Sequence, residues 1–173
     1  QSVCVDRLDP RLPHIPGHID IDEIVDRLAD KSFLTDGTAR GQGRRYRLPE
    51  VVRVFSLARL AEADETAAVR RAHAEHFVAW VEDVAPHLMQ ADADAWMDRL
   101  DREHGNLRAV AAWVSETEAW GSGIRLASAI WRFWHIRGHV GPERVWLDRV
   151  LDVHHGDAPV ERLARAYHGA GIL

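Results

Sequence analysis

The side chains best able to do chemistry are the eleven histidines. His135 and His139 stand four apart and His73 and His76 three apart, spacings that share one face of a helix. Zinc would need a third ligand and carboxylates to hold the imidazoles in place. His73 and His76 fall on the same stripe as Phe77 and Trp80, so packing between helices accounts for them. His139 falls in the turn from Gly138 to Pro142, off the helical face of His135. No metal is therefore expected. Asp98, Asp101 and Glu103 beside His104 could act as general acid and base, yet no nucleophile, oxyanion hole or cofactor loop accompanies them. An exposed, charge-laced helix face explains them better. The single cysteine, Cys4, sits among chain breakers and reads as incidental. No catalytic residue is expected, and the chain does not read as an enzyme.

Phosphate chemistry is constrained further. A phosphate-binding loop needs G-x-x-x-x-G-K-[ST], and the sole lysine, Lys31, follows Asp30. This stretch therefore holds no such loop. Arg40, Arg44, Arg45 and Arg47, with no acid between them, could instead neutralise DNA phosphates, each releasing about one counterion. Their other reading is a solvated hairpin, or a docking surface for an acidic partner.

The chain has 173 residues, 46% of them hydrophobic and 28% charged, which excludes disorder and collagen-like structure. The 22 basic and 27 acidic residues leave a net charge of −5, which argues against a surface that tracks nucleic acid throughout. One cysteine rules out a disulfide framework and a multi-cysteine zinc site. No apolar run approaches the ~20 residues that would span a bilayer, and no signal peptide is visible. The expected compartment is the cytoplasm, with no membrane partner. The start at Gln1 and the stop at Leu173 within a helical pattern suggest a piece of a longer protein.

These side chains must be positioned by a mainly helical frame. Residues 1–19 carry Pro10, Pro13, Pro16 and Gly17, and no period survives them. From Asp20, an N-cap with Glu23 three residues on, Ile21, Ile24, Val25 and Leu28 follow helical spacing to about Lys31. Ser32–Thr35 reads as a strand, Gly37 to Gly43 as a polar turn and Arg44–Leu48 as a second strand. Pro49 is placed at the first position of the next helix, whose apolar face is Val51, Val54, Phe55 and Ala58. Helix, hairpin, helix is the second half of a winged helix.

Beyond Asp64 only helices are predicted. The first, Thr66 to Leu88, carries Val69, Ala72, His73, His76, Phe77, Trp80, Val84 and Leu88 on one face, loosened at Pro86. A short helix at Trp96–Arg102 follows, then another capped by Asn106 before Leu107, Val110, Ala111 and Val114. Gly121-Ser122-Gly123 breaks the chain before helices at Ile124–Arg137, Glu143–Val153 and from Pro159. Antiparallel pairs with short turns make a TPR-like α-solenoid. In its best unit Trp131 and Trp134 stand three apart, Gly138 makes the tight turn, and Trp146 and Leu147 pack the second helix back. Glu143 stands where a small alanine is usual. The expected organisation is thus the C-terminal part of a winged-helix domain over 1–64, then a TPR-like repeat domain over 65–173.

Four strings occur in order: LADKSFL (28–34), RYRLPEVVRVFSLARLAEA (45–63), WMDRLDREHGNLRAVAAW (96–113) and LASAIWRFWHIRGHVGPERVWLDRVL (126–151). Together they resemble the region after the ATPase in bacterial STAND-type transcriptional regulators of the LuxR-like and AfsR-like kind, common in actinobacteria. The resemblance implies an absent P-loop ATPase, which would hold ATP or ADP, followed by this winged helix and sensor repeats. It implies three partners: the protein's own ATPase domain, a protein or small-molecule effector at the repeats, and DNA through another domain. The family's interdomain switch tripeptide falls on Leu48, Pro49 and Glu50. Proline cannot donate a hydrogen bond, so a direct contact with nucleotide phosphate is lost there. Glu50 remains to complement a helix N-terminus. The resemblance implies a non-catalytic module that couples a nucleotide switch to a sensor. The alternative is a DNA-binding wing built on the four arginines.

Overall fold

The computed structural model describes residues 2–4, 21–37, 45–153 and 158–173. They belong to two units, Gln1–Thr66 and Ala67–Leu173.

In the first unit, acids crowd the first turn of α1 (Ile21–Asp30), where Asp22 and Glu23 complement the helix dipole. The residue proposed as its cap, Asp20, lies outside the described residues. The helix ends in a left-handed turn. Ser32 has φ 61°, its N–H donates to Ala29 O at 2.9 Å, and the Phe33 N–H donates to Leu28 O at 2.9 Å. This closure satisfies the last carbonyls. It also corrects the expected strand at Ser32–Thr35, since the left-handed Ser32 belongs to the helix end. Strand β2 begins only at Thr35 and runs to Asp36. It pairs antiparallel with β3 (Arg45–Arg47), as does a strand β1 (Ser2–Cys4), giving the order β1-β3-β2. The lack of any period over residues 1–19 therefore does not exclude a strand there. A three-residue strand has no periodicity of its own, and β1 takes its ladder from Tyr46, far along the chain. Tyr46 is 9% exposed.

Helix α2 runs Glu50–Glu62, with Pro49 as its capping residue at φ −53° rather than as its first helical residue. The expected apolar face is a second correction. Val51 is 82% and Phe55 65% exposed, Val54 and Ala58 are exposed too, and α2 buries no side chain. Helical spacing specifies an apolar stripe, but not that anything covers it.

The second unit is a stack of helices. In α3 (Thr66–Val84) the buried side chains are Ala74, Phe77, Val78, Val81 and Val84. The expected face is displaced by about one position, for Val69, Ala72 and His76 are exposed. Pro86 does loosen the end, where Ala85–Met89 forms a 3-10 turn. Next comes one 25-residue helix, α4 (Ala93–Thr117), in place of the two expected. Asn106 is not a cap. It lies mid-helix, buried, and its Nδ2 donates to Glu103 Oε2 at 2.6 Å. A polar residue satisfied three positions back has no need to start a helix.

The break expected at Gly121-Ser122-Gly123 comes earlier, at Glu118, whose φ is 57° and which is followed by an Ala119 N–H to Val114 O bond of 3.2 Å. The two glycines lie within α5 (Trp120–Arg137). Gly123 answers a packing demand, since a Cβ there would meet Val114 Cγ1 at 3.0 Å and Val150 at 3.2 Å. Gly138, at φ 75°, then turns the chain toward α6 (Gly141–Val153), which precedes α7 (Val160–Ile172). A left-handed conformation costs an L-residue roughly 1–2 kcal/mol, and glycine next to nothing. Glu118→Gly is therefore expected to stabilise the protein by about 1 kcal/mol, seen as a higher urea midpoint with an unchanged slope.

One core cluster gathers Leu100, Leu107, Val110, Ile130 and Phe133 with the buried face of α3. A second joins Ile124, Leu147, Val150, Ala166 and Ala170. Trp120 and Trp146 pack on both. The fold is mainly α, a helical repeat. At its side, Glu82 of α3 accepts from Arg125 Nε of α5 at 3.0 Å and lies 2.9 Å from Arg162 of α7. Hydrogen bonds from Arg125 hold the Glu82 carboxyl below the usual carboxylate range. No helix among the described residues is long and apolar enough to cross a membrane.

Candidate functional site

Residues 104, 107, 108 and 111 recur at helical spacing, so α4 presents them on one face. There His104, Leu107, Arg108 and Ala111 meet Trp134 of α5 and Pro142, Glu143 and Trp146 from the start of α6. Together they enclose a cleft of about 120 Å³. The indoles of Trp134 and Trp146 meet edge to face at 5.9 Å. Trp146 Nε1 donates to Ala111 O at 3.0 Å, tying α6 to α4. Trp134 Nε1 is buried, with no hydrogen-bond partner among the described residues.

The polar groups of the cleft form a chain of contacts. Glu143, only 8% exposed, holds its Oε1 3.2 Å from His104 Nε2 and 4.0 Å from Arg108 Nε. The His104 ring stacks on His139 with centroids 3.9 Å apart. His139 reaches Asp101 at 3.3 Å, and Arg137 pairs with both Asp98 and Asp101. Burial, aided by the neighbouring His139, lowers the His104 pKa against the opposing pull of Glu143. The imidazole is thus neutral near pH 7, and its Nε2–H donates to Glu143.

This neutrality sets a pH dependence. The unfolded chain takes up its His104 proton near 6.5 and the folded chain only at lower pH. Acidification through that window therefore favours unfolding, and stability falls as pH drops below about 7. His73, lowered chiefly by burial, acts with the same sign. Denaturation midpoints at pH 7.5 and 5.5 should show the loss, and His104→Gln should shrink the difference.

The candidate acids Asp98, Asp101 and Glu103 are otherwise engaged. Asp98 and Asp101 pair with Arg137, while Glu103 is buried against Asn106. His73 and His76 lie 4.8 and 5.2 Å from the ring of Phe77. Among the described residues, no three His, Cys, Asp or Glu side chains could hold a metal ion.

The residues singled out for repeat packing occupy distinct places. Trp134 and Leu147 are buried, and Trp146 is half-buried. Gly138 holds the left-handed turn. Trp131 lies against Gly169 of α7 and edge-on to His168 at 5.1 Å. Among the wing arginines, Arg40 and Arg44 lie outside the described residues, Arg45 opens β3, and Arg47 is exposed at its end. In the switch tripeptide, Leu48 and Pro49 are half-buried, and the Glu50 carboxylate accepts from Arg53 Nε at 2.9 Å. That bond lowers the Glu50 pKa.

Local spacing does not bring the cleft together: Arg108 carries no signal, and His104 stands in sequence beside the acids Asp98, Asp101 and Glu103. The available clue was Glu143, a charge at a repeat position that is usually small.

Over 125 residues the chain is 30% identical to proteins of Mycobacterium tuberculosis (in two strains) and Mycobacterium bovis, each provisionally named an HTH-type transcriptional regulator. The match covers 72% of this chain but 14% of each relative. No protein-family model matches the chain, and no solved structure matches it.

Proposed function

We propose that the chain is a non-catalytic, cytoplasmic module of a STAND-type transcriptional regulator. In this reading a winged-helix segment over 1–64 joins an absent ATPase, which binds ATP or ADP, to TPR-like sensor repeats over 65–173. The similarity to mycobacterial HTH-type regulators across 125 residues carries the reading. Stacked helices with short turns agree with it. The winged helix would pack on the ATPase in the off state and move when an effector engages the repeats. Glu50 is held by Arg53, so any switch through Leu48, Pro49 and Glu50 would act by shape rather than by a phosphate contact.

The test is capture of the parent's ATPase domain by this chain in ADP and in ATP. Association that depends on the nucleotide supports the switch, and equal absence of binding in both states refutes it. DNA contact by the wing is the second reading, favoured by the exposed Arg47 on a paired strand. It predicts DNA affinity that falls steeply between low and physiological salt. Changing Arg40, Arg44, Arg45 and Arg47 together to alanine would abolish that affinity, and retained binding would sink the wing.

A further inference from the structure

We propose that the α4–α6 cleft binds a primary ammonium group on a short aliphatic stem, with Glu143 as its counter-ion and Trp134 and Trp146 as its walls. The inference rests on the sensor reading above and gives its ligand a chemistry.

Size comes first. A cleft of about 120 Å³ equals about four waters at ~30 Å³ each, room for a stem of about five heavy atoms. Charge selects the class. Glu143 has more than nine-tenths of its side chain buried, and its near partner, His104, is neutral. Among the described residues the guanidinium paired with it is that of Arg108, 4.0 Å away and 64% exposed, hence screened by solvent. An anion would have to sit against Glu143, whereas an ammonium would complete it. Indole walls also favour a cation, by attraction to the ring quadrupole. Leu107, Ala111 and Pro142 supply the apolar contact that a methylene stem needs.

The test titrates the whole chain with n-butylammonium, n-butyramide and n-butyrate, following the indole N–H resonances of Trp134 and Trp146. Saturable shifts are expected with butylammonium alone, at a Kd on the order of millimolar for so small a ligand. Glu143→Gln should weaken binding at least about tenfold, and Arg108→Ala should tighten it about threefold by removing a competing cation. The gain with Arg108→Ala keeps the test sharp should Glu143→Gln unfold the chain, which circular dichroism would reveal. Equal binding of butyrate or butyramide, no saturation by about 100 mM, or an unchanged Kd in Arg108→Ala would overturn the proposal. Nα-acetyl-lysinamide identifies the source. Equal binding assigns the stem to a lysine of a protein partner, and exclusion assigns it to a free amine; both support the ammonium site. Should butylammonium fail while nucleotide-dependent association persists, the ligand class falls and the sensor reading stands.

Discussion

Phe133→Ala is expected to destabilise the second unit by about 3–5 kcal/mol, the range for emptying a buried aromatic site. Phe133 is fully buried in the larger core cluster, so the loss combines the transfer term with a cavity that packed helices refill poorly. Its ring also lies 5.9 Å from His104 and 5.2 Å from His139. The variant should therefore loosen the imidazole stack beside the cleft as well as the core. Urea denaturation followed by circular dichroism measures the first effect, and the His104 and His139 ring resonances report the second. Phe133→Leu, which keeps most of the volume, should retain most of the stability. A loss below about 1 kcal/mol for Phe133→Ala would mean that this core is not packed as described.

Gly169→Ala is the second large effect. A Cβ at Gly169 would stand 2.5 Å from Trp131 Cβ and 2.6 Å from its Cγ. Those atoms sit at the root of the side chain, so no rotamer change clears them and α5 and α7 must part. Overpacking of this kind costs about 1–3 kcal/mol, and the upper end is expected here. Trp131→Ala in the same chain should not rescue it, since the offending Cβ remains. Trp131→Gly should restore the approach of the helices, though not the lost indole packing. Limited proteolysis near α7, together with the denaturation midpoint, would follow the separation. A Gly169→Ala chain as stable as the parent would refute the close approach.

Glu118 ends α4 and Gly138 ends α5 in the same left-handed conformation, yet only the glycine is legible in the sequence as a turn. A left-handed glutamate carries no compositional sign, and the glycines three and five residues later draw the expected break to themselves. Gly123 in fact serves contact with Val114 and Val150, residues from two other helices. Spacing can mark a glycine but not its neighbours in space.

Local pattern was enough for the mainly helical class, the turn at Gly138, the loosened end at Pro86 and a strand at Arg44–Leu48, of which Arg45–Arg47 pairs. Each of these follows from local backbone preference or from a period within one element. Tertiary structure alone decided which stripe of α3 is buried and that the apolar face of α2 stays exposed. It also decided that Ser2–Cys4 joins Tyr46 in a sheet and that Arg108 and His104 converge on Glu143. The pairing of Tyr46 with β1 and the contacts of Glu143 with α4 depend on partners 35 or more residues away, as between His104 and Glu143 at a separation of 39. A one-dimensional pattern sets what a residue can bury or pair with, and packing alone sets with whom.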